Sequence, residues 1–292
     1  MNYIDINSTE YPYLLKQIKD PPGKLYYRGN LDMEIFNETL SVVGTRRMTR
    51  YGEIITDSLV SAIAGAGVTI VSGFMYGIDA LAHNAALKAK GRTIAVMPCG
   101  IEKIHPEYQA DLHERILSNN GLIVSEYPGD TPPALWTYPR RNRIIAGLSS
   151  ILLVVEAGVK SGALITAKIA KNYSKKIFAV PGPLTSSVSM GTALLIKQGA
   201  SILTDADDLL FEFGKLSTVE LYTNIKQQAL NRLQKKIIDV LSQEPLGIDE
   251  ITRLTERPTS DIGADLTILT LKKLLTLKDG KYYLIKGAPN VI

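Results

Sequence analysis

Cysteine is nearly absent. Cys99 is the one thiol in 292 residues, so no intramolecular disulfide can form and a reducing cytoplasm is the expected setting. Three histidines and a single cysteine leave no Cys/His zinc cluster, and no metal or cofactor is expected. Long apolar runs are missing too: stretches such as 151–155 fall far short of the roughly 20 residues that cross a bilayer. Residues 1–10 lack the basic start and apolar stretch of a signal peptide. Neither sign of charge dominates, with 33 Lys plus Arg against 29 Asp plus Glu and a net +4, so any nucleic-acid site has to come from a local cluster. What is present is 45% hydrophobic and 21% charged residues, the composition of a folded chain and not of a disordered one. At roughly 100 to 200 residues per domain, the length allows one large domain or two of unequal size.

From 40 to 203, short β-branched runs alternate with longer amphipathic stretches across turns containing Gly or Ser, the rhythm of a parallel α/β sheet. The pattern predicts strands over 40–43, 68–71, 93–97, 122–125, 151–155, 177–180 and 201–203, with helices over 51–65, 78–90, 108–119, 162–173 and 192–198. Several of these strands are apolar without alternation, as strands covered by helices on both faces are. The expected fold is therefore a doubly wound, mostly parallel sheet. Residues 11–29, broken by Pro12, Pro21, Pro22 and Gly23, read as turns and edge segments of the same domain. The expected division is a sheet domain over 1–213, a linker over 214–229 and a small domain over 230–292. In the last, Ile237, Ile238, Val240 and Leu241 mark one helix, Ile248, Ile251 and Leu254 a second, and Ile262, Leu266, Leu269 and Leu274 a third. Residues 278–285 read as a hairpin closed by Asp279-Gly280. Three helices and a wing suggest a winged helix, with a plain helical bundle as the other reading. The third helix offers Asp261 and Asp265 early and Lys272 and Lys273 only at its end, which favours a protein-contact or regulatory role over duplex reading.

Open parallel sheets bind ligands at the carboxyl ends of their strands. The turns expected there are Gly44-Thr45-Arg46-Arg47, Ser72-Gly73 with Gly77, Ser161-Gly162 and Pro181-Gly182. Glycine lets backbone approach closely, hydroxyls and helix N-termini supply donors, and Arg46 adds a planar fork, which together make an anion site. Any one such glycine is explained by tight turn geometry alone; four turns on one edge favour a phosphate-binding groove. No Walker string occurs, and Gly65-Ala66-Gly67 precedes its strand instead of following it, so a nucleotide-hydrolysing P-loop and a dinucleotide site both lack their motif. The densest basic cluster is Arg140-Arg141-Asn142-Arg143, with Trp136 and Tyr138 beside it. Guanidiniums and aromatics together suit a strand that offers phosphates and stackable bases. Arg at a helix N-terminus also opposes the macrodipole and asks for an anion in compensation. Asp79 and His83, at i and i+4 on a helix, are spaced to pair. No nucleophile accompanies them, and a capping or core pair is favoured over a catalytic base. Ser161 lacks the Gly-x-Ser-x-Gly elbow of a nucleophile.

At these residues the chain resembles the DNA-processing protein A family, also called DprA or Smf. The resemblance is carried by Ser41-Val-Val-Gly-Thr-Arg46, Ser72-Gly-Phe-Met-Tyr-Gly-Ile-Asp79, Ser125-Glu-Tyr-Pro128, Tyr138-Pro-Arg-Arg-Asn-Arg-Ile-Ile-Ala-Gly-Leu-Ser149, Ser161-Gly-Ala-Leu-Ile-Thr-Ala167, Ala179-Val-Pro-Gly182 and Gly199-Ala200, and spans about residues 5 to 210. It implies an extended Rossmann-like domain that binds single-stranded DNA and loads the RecA recombinase onto it during natural transformation, with no reaction of its own. It also implies a homodimer, for which Leu194, Leu195 and Ile196 are the expected contact. The family's DNA-contacting positions map onto Arg46, Ser72, Gly73, Arg140 and Arg143, with Ser161 and Gly162 as neighbours. With the residues read directly, the expected DNA site is Gly44, Thr45, Arg46, Arg47, Ser72, Gly73, Gly77, Trp136, Tyr138, Arg140, Arg141, Asn142, Arg143, Ser161 and Gly162. Two departures stand out. The helical module that precedes the sheet domain in some relatives is expected to be absent here, and His105-Pro106 stands where the family has Tyr-Pro. Two other functions remain in play: a nucleotide-cleaving hydrolase of the phosphoribohydrolase type, whose Pro-Gly-Gly-x-Gly-Thr string is missing, and a ligand-sensing transcription regulator.

Overall fold

The computed structural model describes residues 1–215, 230–271 and 274–284. The chain divides into two compact units at residue 216. The expected linker lies, from residue 216 on, outside the described residues, as do Lys272, Lys273 and Ile285 of the expected tail.

The first unit is built on one nine-stranded sheet in the order β1-β2-β6-β5-β4-β3-β7-β8-β9. Its strands are β1 (Asn2–Asp5), β2 (Lys24–Gly29), β3 (Thr39–Val43), β4 (Thr69–Ser72), β5 (Thr93–Gly100), β6 (Leu122–Tyr127), β7 (Ile151–Val154), β8 (Lys176–Ala179) and β9 (Ser201–Ile202). From β3 to β9 every pairing is parallel, and these are the seven strands expected from the apolar runs. β3 lies at the centre of these seven; the chain winds outward through β4, β5 and β6, then returns to place β7 on the other side of β3. This is a Rossmann-like order extended at one edge. β1 and β2 add that extension, antiparallel to each other and to β6.

The helices are α1 (Tyr13–Lys16), α2 (Arg50–Gly65), α3 (Ile78–Lys88), α4 (Ala110–Ser118), α5 (Thr137–Leu148), α6 (Gly162–Asn172), α7 (Met190–Lys197) and α8 (Asp207–Glu212). One face of the sheet packs against α1, α5, α6 and α7, the other against α2, α3 and α8, with α4 continuing that second layer beyond β5 and β6. The central strands show why their sequences do not alternate. Leu40 and Val42 of β3 enter one layer and Val43 the other, while Ile151 and Leu153 of β7 oppose Leu152 and Val154. Both sides of each strand are buried, so both carry apolar residues.

Leu194, Leu195 and Ile196, the expected dimer contact, lie on α7. Leu195 is buried in the core, Ile196 is half-buried against it, and Leu194 alone remains exposed.

The second unit holds helices Arg232–Gln243, Ile248–Thr255 and Thr259–Leu271, then the hairpin β10 (Leu275–Lys278) and β11 (Lys281–Leu284). Asp279 and Gly280 both have positive φ, 52° and 75°, the geometry of a type I′ hairpin turn. Leu246 bridges to Tyr282 and gives the wing a third segment. Ile237, Leu241, Ile251, Ile262, Leu266 and Leu269 form a separate core. Asp265 does not add to an acidic outer face: it is buried and accepts hydrogen bonds from Asn231 Nδ2 (3.2 Å) and Gln234 Nε2 (2.7 Å). Only Asp261 of the two acids faces outward.

Candidate nucleic-acid interface

The strand order reverses between the parallel neighbours β3 and β7, and a ligand crevice is expected outside the carboxyl ends of two such strands. The loop leaving β3 lies there, held from below by Glu156. Thr45 N–H donates to the Glu156 carbonyl (2.7 Å). The Glu156 carboxylate, 2% exposed, accepts from Thr49 N–H (2.9 Å) and from the Thr49 hydroxyl. Thr49 in turn caps α2 through Gly52 N–H. A Cβ at Gly52 would overlap the Glu156 carboxylate, and one at Gly44 would overlap Ile78. Gly77, at φ +82°, lies against the Thr45 carbonyl and the Arg46 backbone. These glycines let α2 and α3 close onto the 44–49 loop and fix its path.

The groove so formed has a volume of about 970 Å³. Gly44, Thr45, Arg46, Arg47, Tyr138, Arg141, Asn142, Ser161 and Gly162, all expected at the site, line it. Ser161 caps α6 by accepting from Ala163 N–H (3.3 Å), and the Gly162 α-carbon faces open space, so the helix N-terminus is accessible to an anion. Arg46 is exposed, its guanidinium carbon 5.5 Å from the Tyr76 ring centre and 5.4 Å from that of Tyr138. Among the described residues it has no carboxylate within ion-pair distance.

Beneath it, Arg141 is 3% exposed and donates from Nη1 to the carbonyls of Gly73 and Val96, while its Nε has no partner. A Cβ at Gly73 would collide with both the Arg141 guanidinium and the Asp79 carboxylate, so these two charges stand side by side over the glycine. Burial pushes Arg141 down to about 10, with Asp79 opposing, and leaves it charged at neutral pH. Burial likewise pushes Asp79 up to about 6, with Arg141 opposing. His83, on the same helix as Asp79, turns away. The Thr93 hydroxyl donates to the Ile70 carbonyl (2.8 Å), so His83 Nδ1 must be the donor in the 2.7 Å bond to Thr93, and Nε2 has no partner. Burial, with the Arg141 charge adding to it, lowers His83 to about 3. The ring is a neutral core group and does not pair with Asp79.

Six of the residues expected at the site do not line the groove, and the geometry gives the reasons. Along α5, positions 138, 141, 142 and 145 share one face, the i, i+3, i+4, i+7 stripe of a helix. Arg140 and Arg143 fall on another face. Arg143 is 6% exposed and bonds Glu126 and the Asp20 carbonyl, and Arg140 also pairs with Glu126 (3.2 Å). Trp136 precedes the helix and stands edge-on to Tyr127 at 5.9 Å. Ser72 is buried with its hydroxyl donating to the Val42 carbonyl (2.7 Å). Gly73 and Gly77 support the floor and the loop from behind.

A family model for DNA recombination-mediator protein A matches residues 2–214. The chain belongs to that family. Protein Smf of Escherichia coli is 35% identical over 294 residues, covering 99% of this chain and 78% of that protein. DNA processing protein DprA of Bacillus subtilis is 40% identical over 212 residues, 73% of this chain and 71% of that one. A solved structure of DNA processing protein A from Helicobacter pylori, described for its single-stranded DNA binding mode, matches with a TM-score of 0.65 and 32% identity, covering 74% of this chain and 97% of that one.

In this family member the groove also contains residues that sequence reasoning passed over. Tyr76 and Lys160 line it, and apolar walls come from Met75, Leu135, Val159, Ile165, Val188 and Met190. Tyr76 is presented by Phe74, a fully buried residue at φ 57°. A left-handed conformation at a non-glycine marks a turn held in place by its surroundings, and here the Phe74 carbonyl accepts from Gln109 Nε2 (2.9 Å). Bare spacing carries no trace of such a turn. Among the described residues, no helix is long and apolar enough to cross a membrane.

Proposed function

We propose that the groove binds single-stranded DNA and that the protein, without a reaction of its own, passes the bound strand to the RecA recombinase, as in natural transformation. The observation that carries this reading is the Tyr76–Arg46–Tyr138 stack above a basic floor and between apolar walls. Arg46, Arg47 and Lys160 meet phosphates, Arg141 adds its charge from beneath, and the aromatic and apolar surfaces take unstacked bases, which a duplex keeps inside. A nucleotide-cleaving hydrolase is disfavoured, because the family is one of recombination mediators and His83 is turned into the core.

Fluorescence anisotropy with a labelled oligonucleotide and its duplex of equal length tests the first step. Tighter binding of the single strand, unchanged by added nucleotide, is expected; equal affinity for the duplex removes the reading. Strand exchange by RecA on a strand precoated with single-strand binding protein tests the second, and should start sooner when this protein is present.

A further inference from the structure

Tyr138 has two partners: its ring faces Arg46, and its hydroxyl shares a 2.7 Å hydrogen bond with Nε2 of His105, whose ring lies edge-on at 6.1 Å. His105 is half-buried on the segment between β5 and α4 and does not line the groove. Resting on the reading of the groove as a single-strand site, we infer that His105 is a positioning residue for DNA binding, acting through Tyr138 to hold the Arg46 guanidinium where a phosphate arrives.

Arg46 sits on an exposed loop without a carboxylate partner, and an arginine so placed loses about 2 kcal/mol of rotamer entropy when a phosphate fixes it. Two aromatic faces restrict it beforehand, which reduces that cost on binding. Tyr76 is 43% exposed, and among the described residues its hydroxyl takes part in no hydrogen bond. Tyr138 is therefore the fixed face of the pair, and what fixes its outer end is His105. The neighbours of His105 agree with this role. Burial lowers its basicity, Lys103 lowers it further, Glu107 opposes, and Arg46 and Arg141 add to the lowering, which favours the neutral ring. It does not add a charge of its own to the groove, and its contribution is geometric.

The experiment compares His105→Phe, which keeps the ring and loses the hydrogen bond, with His105→Gln, whose amide reaches the place of Nε2. Each is combined with Arg46→Ala, and binding to a labelled single strand is measured. His105→Phe should weaken binding roughly fivefold, about half of the arginine rotamer entropy that the held ring saves; His105→Gln should restore most of it. In the Arg46→Ala background, His105→Phe should change nothing further, and Tyr138→Phe should match His105→Phe with no added loss in the double variant. Wild-type affinity in His105→Phe, or losses from His105→Phe and Arg46→Ala that multiply, would overturn the inference while leaving the groove as the DNA site. Should His105→Phe fail to fold, Tyr138→Phe with and without Arg46→Ala decides the same question. If the wild-type protein binds no single strand, the reading of the groove fails and the inference falls with it.

Discussion

Arg46 stands exposed between two tyrosine rings, whereas Arg143 is buried against Glu126. Replacing each by alanine should therefore have different consequences. Arg46→Ala should leave the unfolding midpoint in urea unchanged, weaken single-strand binding and flatten its logarithmic salt dependence by roughly 0.7, the share of one phosphate contact. Arg143→Ala removes a buried guanidinium and leaves half-buried Glu126 with Arg140 alone; it should cost roughly 1–2 kcal/mol of stability, with the salt dependence of the folded protein unchanged. Asp79 brings a pH response. Its folded pKa of about 6 lies above the ordinary carboxylate value, so lowering the pH from 7.5 to 5.5 removes a negative charge from the groove while phosphates stay ionised. Single-strand affinity should rise severalfold across that interval at fixed ionic strength, on the order of 1 kcal/mol. Asp79→Asn should bind at pH 7.5 about as tightly as the wild type at 5.5. Stability follows the same logic. A raised folded pKa makes acid favour the folded state as pH falls through 6, whereas His83, with a folded pKa of about 3, favours unfolding as pH falls through 6.5. In Asp79→Asn the His83 effect is left unopposed, and urea unfolding at pH 5 should show the loss.

Single elements decide which of the sequence's signals survive folding. The seven parallel strands were legible because burial on both faces forces uninterrupted apolar runs. β1 and β2 were not, because this end of the sheet exposes Asn2, Tyr3, Lys24, Arg28 and Gly29 and buries only Ile4 and Leu25, which leaves too few apolar positions to show a period. The basic cluster at 140–143 was legible as composition but not as geometry. One helical turn sends Arg141 and Asn142 to the groove and Arg140 and Arg143 to Glu126, and residue types alone do not fix that phase. Gly52 of α2 sets helix propensity against packing. Alanine in a helix interior is better than glycine by about 1 kcal/mol, yet here its Cβ would displace the Glu156 carboxylate that holds the 44–49 loop. Gly52→Ala should therefore destabilise the protein in urea by at least about 1 kcal/mol and weaken DNA binding with it. A stabilised variant with full affinity would show that Glu156 does not hold the loop.

At the scale of the molecule, the groove draws its residues from 43 to 190, and the second unit has a core of its own. Removing residues 217–292 should leave the first unit folded by circular dichroism, with single-strand affinity within about twofold of the full chain, since no lining residue is lost. A folded truncation that loses most of its affinity would make the second unit part of the DNA site.

The extension of the sheet by β1 and β2 also sets an order of events. Arg28 pairs with Ile123 and Gly29 with Leu122, so β2 docks on a strand made roughly 100 residues later. At the usual 5–20 residues per second of translation, β2 leaves the ribosome about 5 to 20 s before β6 exists. Through that interval the β1–β2 pair has no β6 to dock on, and Leu25 and Ile4 wait for the core they finally enter.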